Sequence, residues 1–318
     1  MNRPSRAAVV MAFTAVYVIW GSTYLGIRFA IETMPPFLMA GSRFLLAGLA
    51  LYAVARMRGA ARPGIADWKR ATIIGAALLL CGNGGVTVGE LYVPSALTAL
   101  LIALVPVFMA VLGWLSGIIA RPTRVVWLGL GLGLAGVALL VRPEPAALPH
   151  PRMGFGVVVI LTAALIWSAG SLYAGRSSSR TSPFAAAGMQ MICGGTLQLL
   201  AGFALGEHRS FDLAAVSAQS WLAWLYLIVI GAIVGYTAYS WLLLHCPPAQ
   251  VATYAYVNPV VAVILGATLG SEKMTPGMLA GAALIVAAVA AVIAKRSAAS
   301  RPIAPTPQAQ AVPVSRGA

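Results

Sequence analysis

Long apolar runs separated by short polar or proline-containing segments make up most of the chain. Breaking these runs at charged residues, prolines and glycine clusters predicts ten helices. They lie near 7–27, 36–55, 71–90, 95–117 and 124–141, and then near 153–174, 183–205, 219–243, 248–270 and 276–294. About 20 mostly apolar residues suffice to span the hydrocarbon core of a bilayer. The pattern therefore predicts an all-α membrane protein with ten transmembrane helices.

The composition agrees with a membrane location. Hydrophobic residues make up 60% of the chain and charged residues only 9%, against about 25% charged residues in a typical soluble domain. This difference excludes a water-soluble domain of ordinary composition. Cys81, Cys193 and Cys246 lie in or at the ends of apolar runs without the spacing of metal ligands. We therefore expect no disulfide framework, no metal site and no cofactor.

The basic residues follow a topological pattern. One set of alternate loops, with the termini, holds fifteen Lys and Arg residues, whereas the other set holds five of them and six of the seven acidic residues. Because cytoplasmic loops carry the excess of Lys and Arg, we expect both termini to be cytoplasmic. Abundant arginine, alanine and glycine are typical of a high-GC bacterium, so a bacterial inner membrane is expected. The net charge of +14 therefore indicates topology, and no nucleic-acid partner is expected.

The two halves of the sequence repeat each other in order. Shifts of 147 and then 153 residues superimpose Trp20 on Trp167, Pro36 on Pro183, Pro94 on Pro247 and Pro106 on Pro259. Five helices per repeat is an odd number, so the second repeat must enter the membrane from the opposite side. The sequence thus predicts two inverted five-helix units at 1–145 and 150–296. A tail at 297–318, rich in Pro, Ala and Gln, is predicted to be disordered and cytoplasmic.

Four groups of residues carry a resemblance to a known family. They are Trp20-Gly-Ser-Thr-Tyr24, Pro36 with Arg43 and Phe44, Gly82-Asn-Gly-Gly-Val86, and the stretch from Asn258-Pro259 through Gly266 to Glu272, Thr275 and Gly281. With these residues the chain resembles the drug/metabolite transporter superfamily, specifically its ten-helix proteins with two EamA-type domains, over about residues 7–295. The first half departs from the pattern, since Val105 corresponds to Asn258 and Ile119 to Glu272.

That resemblance implies a function. It implies a secondary transporter that exports small metabolites, such as amino acids, their derivatives or amphipathic compounds, without ATP. The alternating-access mechanism expected of inverted repeats opens a midplane site to each side in turn. A facilitated-diffusion uniporter or a channel is the alternative, and saturable flux with countertransport separates a carrier from a channel. The oligomeric state is not indicated by the sequence.

Polar and aromatic residues at helical spacing mark the candidate substrate site. These candidates are Tyr17, Trp20, Tyr24, Asn83, Thr87, Trp167, Ser171, Tyr236, Tyr239, Gln250, Tyr254 and Asn258. Polar groups that face lipid lack hydrogen-bond partners, so these side chains are expected to face the bundle interior or a wet cavity. The alternative is that they hydrogen-bond neighbouring helices together. Aromatic and amide groups suit a substrate with an apolar body and a few polar groups.

A second set of residues is assigned to gating or coupling. The set is Arg43, Glu90, Pro106, Pro259 and His245. Arg43 is predicted well inside a helix, where it either pairs with Glu90 or Glu32 or extends its guanidinium to the membrane surface. Pro106 and Pro259 are expected to interrupt their helices or merely to kink them. Proton coupling and facilitated diffusion both stay open, because no carboxylate is predicted at the middle of the bilayer.

An intramembrane enzyme is the competing class. Such an enzyme needs an activated nucleophile, clustered metal ligands or paired carboxylates. The sequence has no H-E-x-x-H, no G-x-S-x-G and no P-loop. We therefore predict a transporter that is not an enzyme, whose partners are a small-molecule substrate, the lipid bilayer and, if flux is coupled, protons.

Overall fold

The structure is a computed structural model, and it describes residues 5–118, 121, 124–141, 151–176, 181–270, 276–277 and 279–287. The described residues form helices, turns and loops and include no β-strand. The predicted tail at 297–318 and Glu272 lie outside them. The prediction of an all-helical protein is confirmed for the part of the chain that is described.

The helices follow one another with short connections. The longer ones are α1 (Arg6–Ala30), α2 (Pro36–Met57), α3 (Ile65–Gly89), α4 (Ser95–Leu115), α5 (Arg124–Val141), α6 (Met153–Arg176), α7 (Pro183–Ala204), α8 (Ala218–His245), α9 (Tyr254–Thr268) and α10 (276–277 and 279–287). A separate helical turn, Pro248–Val251, precedes α9, so the single helix predicted at 248–270 is broken at 252–253. Among the helices described, seven are at least 18 residues long and apolar enough to cross a membrane. They are α1 to α4 and α6 to α8.

Local sequence signals account for several helix starts. The Ser5 hydroxyl accepts a hydrogen bond from the backbone nitrogen of Ala8 at 3.2 Å, and Ser182 caps α7 in the same way. Proline occupies the first position of both α2 and α7, where its missing N–H removes no intrahelical bond. Glu207 supplies the cap that α2 lacks locally, because its two carboxylate oxygens accept from the first backbone amides after Pro36.

Two helices contain wide turns of the π type. In α3 these turns run over Ala76–Asn83, and in α8 they run over Leu227–Tyr236. Both stretches end at residues that the sequence repeat superimposes, since Asn83 corresponds to Tyr236. Such turns are rare and often occur at functional sites. Asn83 and Tyr236, at the ends of these stretches, are therefore candidate functional residues.

Glycines bring α2 and α7 into close antiparallel contact, the most extensive contact between any two of the described helices. A Cβ placed on Gly48 would lie 2.7 Å from the backbone nitrogen of Ile192 and 2.8 Å from the carbonyl oxygen of Gly188. Seven residues earlier on α2, Gly41 makes the matching approach to Gly195. Small residues allow helix backbones to approach this closely in membranes.

The remaining contacts come in matching pairs. Helix α1 packs against α9 as α6 packs against α4, and α1 packs against α8 as α6 packs against α3. Helices five positions apart in the chain thus have equivalent neighbours. This arrangement leaves α1, α2, α3, α6, α8 and α9 around a shared interior space.

Candidate functional site

The interior space, which we call the central cavity, has an empty volume of about 670 Å³, a figure that includes the part open to solvent. Several predicted site residues line it, namely Trp20, Tyr24, Arg43, Asn83, Trp167, Tyr236 and Tyr254. Among the described residues that line the cavity, Arg43 alone carries a charge. The cavity therefore combines an aromatic wall with one cationic group, as a site for a small amphipathic molecule requires.

Two tryptophans from opposite halves form the aromatic wall. The rings of Trp20 and Trp167 meet edge to face, with centroids 5.5 Å apart and an interplanar angle of 78°. Tyr254 packs edge-on against Trp20 at 5.3 Å, and Tyr239 approaches the same indole at 4.7 Å. These distances lie in the range of favourable aromatic pairs, so the four rings form one cluster.

Glycines fix the position of both indoles. A Cβ on Gly82 would lie 2.7 Å from Cε3 of Trp167, and a Cβ on Gly235 would lie 2.8 Å from Nε1 of Trp20. The two contacts are equivalent under the sequence repeat, which superimposes Gly82 on Gly235 and Trp20 on Trp167. A larger residue at either glycine would therefore force the neighbouring indole or the helix backbone to shift.

Hydrogen bonds orient the aromatic cluster on its α6 and α8 side. The indole Nε1 of Trp167 donates to the hydroxyl oxygen of Tyr239 at 3.1 Å, and this hydroxyl lies 2.6 Å from Oγ of Ser171. The Ser171 hydroxyl also lies 2.7 Å from the carbonyl oxygen of Trp167. Ser171 and Tyr239 are buried and do not line the cavity, so they position Trp167 from the side that faces away from it.

Arg43 is held in the cavity wall by the Asn83 amide and lies in the electrostatic field of a buried carboxylate. Its Nη2 donates to Oδ1 of Asn83 at 2.6 Å, and its guanidinium lies 4.5 Å from the ring centre of Phe44. Glu90 interacts with it electrostatically. The Arg43 and Glu90 side chains are 2% and 0% exposed, so neither extends to the surface of the protein. The backbone oxygen of Glu90 accepts from Arg28 at 2.9 Å.

Some predicted site residues connect helices beside the cavity. The Tyr17 hydroxyl lies 2.5 Å from Oγ1 of Thr253, and so it joins α1 to the segment before α9. With its amide oriented so that nitrogen donates, Asn258 bonds the carbonyl oxygens of Tyr17 at 2.9 Å and Tyr254 at 3.2 Å. Thr87 donates to the Asn83 carbonyl within α3. The Tyr17 and Asn258 contacts with neighbouring helices match the alternative in which polar residues hold helices together, whereas the Thr87 bond stays within one helix.

One predicted binding residue and three predicted gating residues do not line the central cavity. Gln250, a predicted binding residue, is exposed and outside the central cavity. His245 ends α8 and stacks on Trp241 with a ring separation of 4.3 Å. Pro106 is buried just after α4 is interrupted between Ile102 and Val105, whereas Pro259 is buried inside the continuous α9.

Sequence reasoning missed one polar partner of the cavity. The hydroxyl of Tyr236 donates to Oε1 of Gln190 at 2.9 Å, and both residues are buried. The shift of 147 residues that superimposes Pro36 on Pro183 also superimposes Arg43 on Gln190. The signal that points to it is the repeat itself, because Tyr236 is in turn the counterpart of Asn83, which binds Arg43. Among the described residues, no three His, Cys, Asp or Glu side chains cluster as a metal site.

Comparison with known proteins identifies the chain's relatives. The model of the EamA-like transporter family matches residues 6–142 and again 154–294. The "Uncharacterized inner membrane transporter YedA" of Escherichia coli (strain K12) is 38% identical over 265 residues, which cover 83% of each chain. The "Probable amino-acid metabolite efflux pump" of Salmonella typhimurium (strain LT2) is 28% identical over 280 residues, or 86% of this chain and 90% of that one.

A solved crystal structure of another protein has the same fold. It aligns with a TM-score of 0.66 at 18% sequence identity, over 93% of this chain and 100% of the other. At this identity the likeness supports the fold alone. The helical arrangement around the central cavity is therefore one that occurs in another protein of known structure.

Proposed function

The chain belongs to the EamA-like transporter family, and from that premise we propose that it exports small metabolites across the inner membrane as a secondary transporter. Its substrates are amino acids, their derivatives or similar amphipathic compounds. The observation that carries the proposal is the central cavity of about 670 Å³, with its aromatic wall and one buried cation. The name of the Salmonella relative supports the same substrate class.

We propose that the chain forms ten spans as two inverted five-helix repeats, with units at 1–145 and 150–296. Two separate family matches, at 6–142 and 154–294, support this division. The antiparallel contact of Gly41 and Gly48 with Gly195 and Gly188 supports a two-fold relation between the halves. The matched neighbours of helices five positions apart support it as well.

We propose an orientation with both termini in the cytoplasm of a bacterial cell. Fifteen Lys and Arg residues on the side of the termini, against five on the other, support this orientation. The E. coli relative is named an inner membrane transporter. The family and its named members are transporters rather than enzymes, which agrees with the absence of catalytic motifs from the sequence.

In the proposed mechanism the aromatic wall binds the apolar body of the substrate, and the polar groups orient it. Arg43 attracts an anionic or electron-rich group, while Asn83 holds the guanidinium in place through the bond at 2.6 Å. Glu90 is a buried carboxylate beside this cation, so it is the group that we assign to proton coupling. Facilitated diffusion is the alternative, and the response to a pH gradient distinguishes the two.

Flux into proteoliposomes tests the proposal. The purified protein is reconstituted, and uptake of a panel of labelled amino acids and small amphipathic compounds is measured with and without an imposed pH gradient. We expect saturable uptake of at least one panel member, with a rate that responds to the gradient. Saturable uptake at a rate independent of the gradient would contradict the assignment of Glu90 to proton coupling. Non-saturable flux would indicate a channel.

A matched pair of variants ties the flux to the cavity. Trp20→Ala removes part of the aromatic wall and is expected to lower the transport efficiency about tenfold, which corresponds to about 1.4 kcal/mol of binding. Trp221→Ala makes the same change at a residue that is 37% exposed and does not line the cavity. We expect this control to transport normally, and equal losses in both variants would contradict the assignment of the site.

A further inference from the structure

A second cavity, which we call the inner cavity, lies between α3, α6, α7 and α8. Its empty volume is about 570 Å³, which includes the part open to solvent, and Gln190, Ser240 and mainly apolar residues of these helices line it. At one end it reaches Asp67 and Arg70 in the first turns of α3. These two residues follow the basic segment that contains Arg58 and Arg62, so the inner cavity opens towards the side on which positive charge is concentrated.

The two cavities lie one above the other along the same helices. On α3, Leu78 lines the inner cavity and Leu79 the central cavity. On α8, Ser240 lines the inner cavity and Tyr236 the central cavity. Four residues along a helix amount to about 6 Å. On α8 the residues that line the two cavities are therefore about one helical turn apart.

One hydrogen bond joins side chains that line different cavities. The Tyr236 hydroxyl, on the central side, donates to Oε1 of Gln190, on the inner side, at 2.9 Å. Leu78 and Leu79 are 1% and 0% exposed and line one cavity each. The bond therefore ties α7 to α8 at a point between the two cavities.

The same bond has an equivalent in the first half of the chain. The repeat superimposes Arg43 on Gln190 and Asn83 on Tyr236, and Arg43 donates to Asn83 at 2.6 Å. Each bond joins the second helix of its half to the third. Asn83 and Tyr236 each end a stretch of π-type turns, a feature that often marks functional positions.

We propose that the bond between Tyr236 and Gln190 is the gate between the central and inner cavities, and that the bond between Arg43 and Asn83 is the equivalent gate towards the opposite side. The inner cavity is then one half of the substrate path. The proposal rests on the proposed function in one respect, since it assumes that the two halves exchange conformations. Breaking the bond between Tyr236 and Gln190 favours the state in which the central cavity is open to the inner cavity. Breaking the bond between Arg43 and Asn83 favours the state open to the opposite side.

Site-directed labelling tests this gate without a known substrate. Cys81, Cys193 and Cys246 are replaced by alanine in the full chain, and Val86→Cys places one thiol in the central cavity. A membrane-impermeant maleimide is then applied from either side of membrane vesicles. In a parallel variant, Ala186→Cys places the thiol in the inner cavity and defines which side is the inner one.

We expect Tyr236→Phe and Gln190→Leu each to raise the rate at which Val86→Cys is labelled from the inner side about fivefold, as the loss of one hydrogen bond predicts. Asn83→Leu is expected to lower that rate and to raise labelling from the other side. Because Gln190→Leu removes the acceptor and Tyr236→Phe the donor, a shift shared by both variants reports the bond rather than a folding defect of one of them.

Tyr226→Phe is the matched control on the same helix. Its hydroxyl lies 2.5 Å from Oγ of Ser22 and joins α8 to α1, but Tyr226 lines neither cavity. We expect this control to be labelled as the parent is. Equal labelling rates in the parent, Tyr236→Phe and Gln190→Leu would overturn the gate. Because the assay measures access and not transport, that result is distinguishable from a failure of the proposed function in the flux experiment.

Discussion

Gly195→Ala is the change that most directly probes the contact between α2 and α7. A Cβ at this position would lie 2.6 Å from the backbone nitrogen of Leu45 and 2.8 Å from the carbonyl oxygen of Gly41. Carbon atoms in ordinary contact are about 3.5–4.0 Å apart. The two backbones would therefore have to separate by about 1 Å, because neither contact is with a flexible side chain.

The structure sets the size of the expected effect. Forcing extra atoms into a packed interface costs about 1–3 kcal/mol, whereas Gly→Ala in a helix interior otherwise gains about 0.5–1 kcal/mol. We expect a net loss of about 1 kcal/mol for Gly195→Ala. Gly131→Ala in α5 is the matched control, because nothing lies within 4 Å of the Cβ it adds. The control is expected to keep or slightly raise the stability.

Thermal unfolding of the purified variants in detergent measures the difference. We expect Gly195→Ala to unfold a few degrees below Gly131→Ala. Gly48→Ala makes the equivalent change on α2, where the added Cβ would lie 2.7 Å from the nitrogen of Ile192, and should behave similarly. An unfolding temperature of Gly195→Ala at or above that of the control would refute the close approach of these helices.

Three further predictions concern the N-terminal end of α2 and the central cavity. Glu207→Gln weakens the carboxylate cap on the first amides of α2 and is expected to lower the unfolding free energy by about 1 kcal/mol in a thermal melt; an unchanged melt would show that the cap contributes nothing. Arg43→Lys keeps the charge but loses the planar donor geometry towards Asn83, so transport should fall about tenfold, and wild-type flux would contradict the positioning role. Tyr239→Phe removes the acceptor of the Trp167 indole and should raise KM about fivefold at normal protein yield, whereas an unchanged KM would show that Trp167 needs no such support.

Several helix starts were predictable because their signals are local, whereas α3, predicted from about residue 71, begins at Ile65. The predicted starts at 36 and 183 coincide with Pro36 and Pro183, which begin α2 and α7. The interruption of α4 between Ile102 and Val105 fits the expectation for Pro106, whose ring cannot donate a backbone hydrogen bond. The π-type turns of α3 and α8 carry no comparable local signal, because they depend on packing between helices.

The candidate site was predictable in its residue types and less so in its geometry. Helical periodicity selects a face but does not identify the neighbour on that face. It therefore grouped Trp20 and Tyr254, which line the cavity, with Asn258, which bonds α1 to α9, and with the exposed Gln250. Gln190 was missed as a partner because its role depends on Tyr236, which lies 46 residues away in the chain.

Countertransport is the measurement that tests the central claim most directly. Proteoliposomes are loaded with an excess of an unlabelled substrate identified in the flux panel and diluted into medium that contains a trace of the labelled form. A carrier that alternates its central cavity between the two sides is expected to accumulate label transiently above its external concentration. Simple equilibration of the label without this overshoot, at saturating internal substrate, would contradict alternating access and indicate a channel.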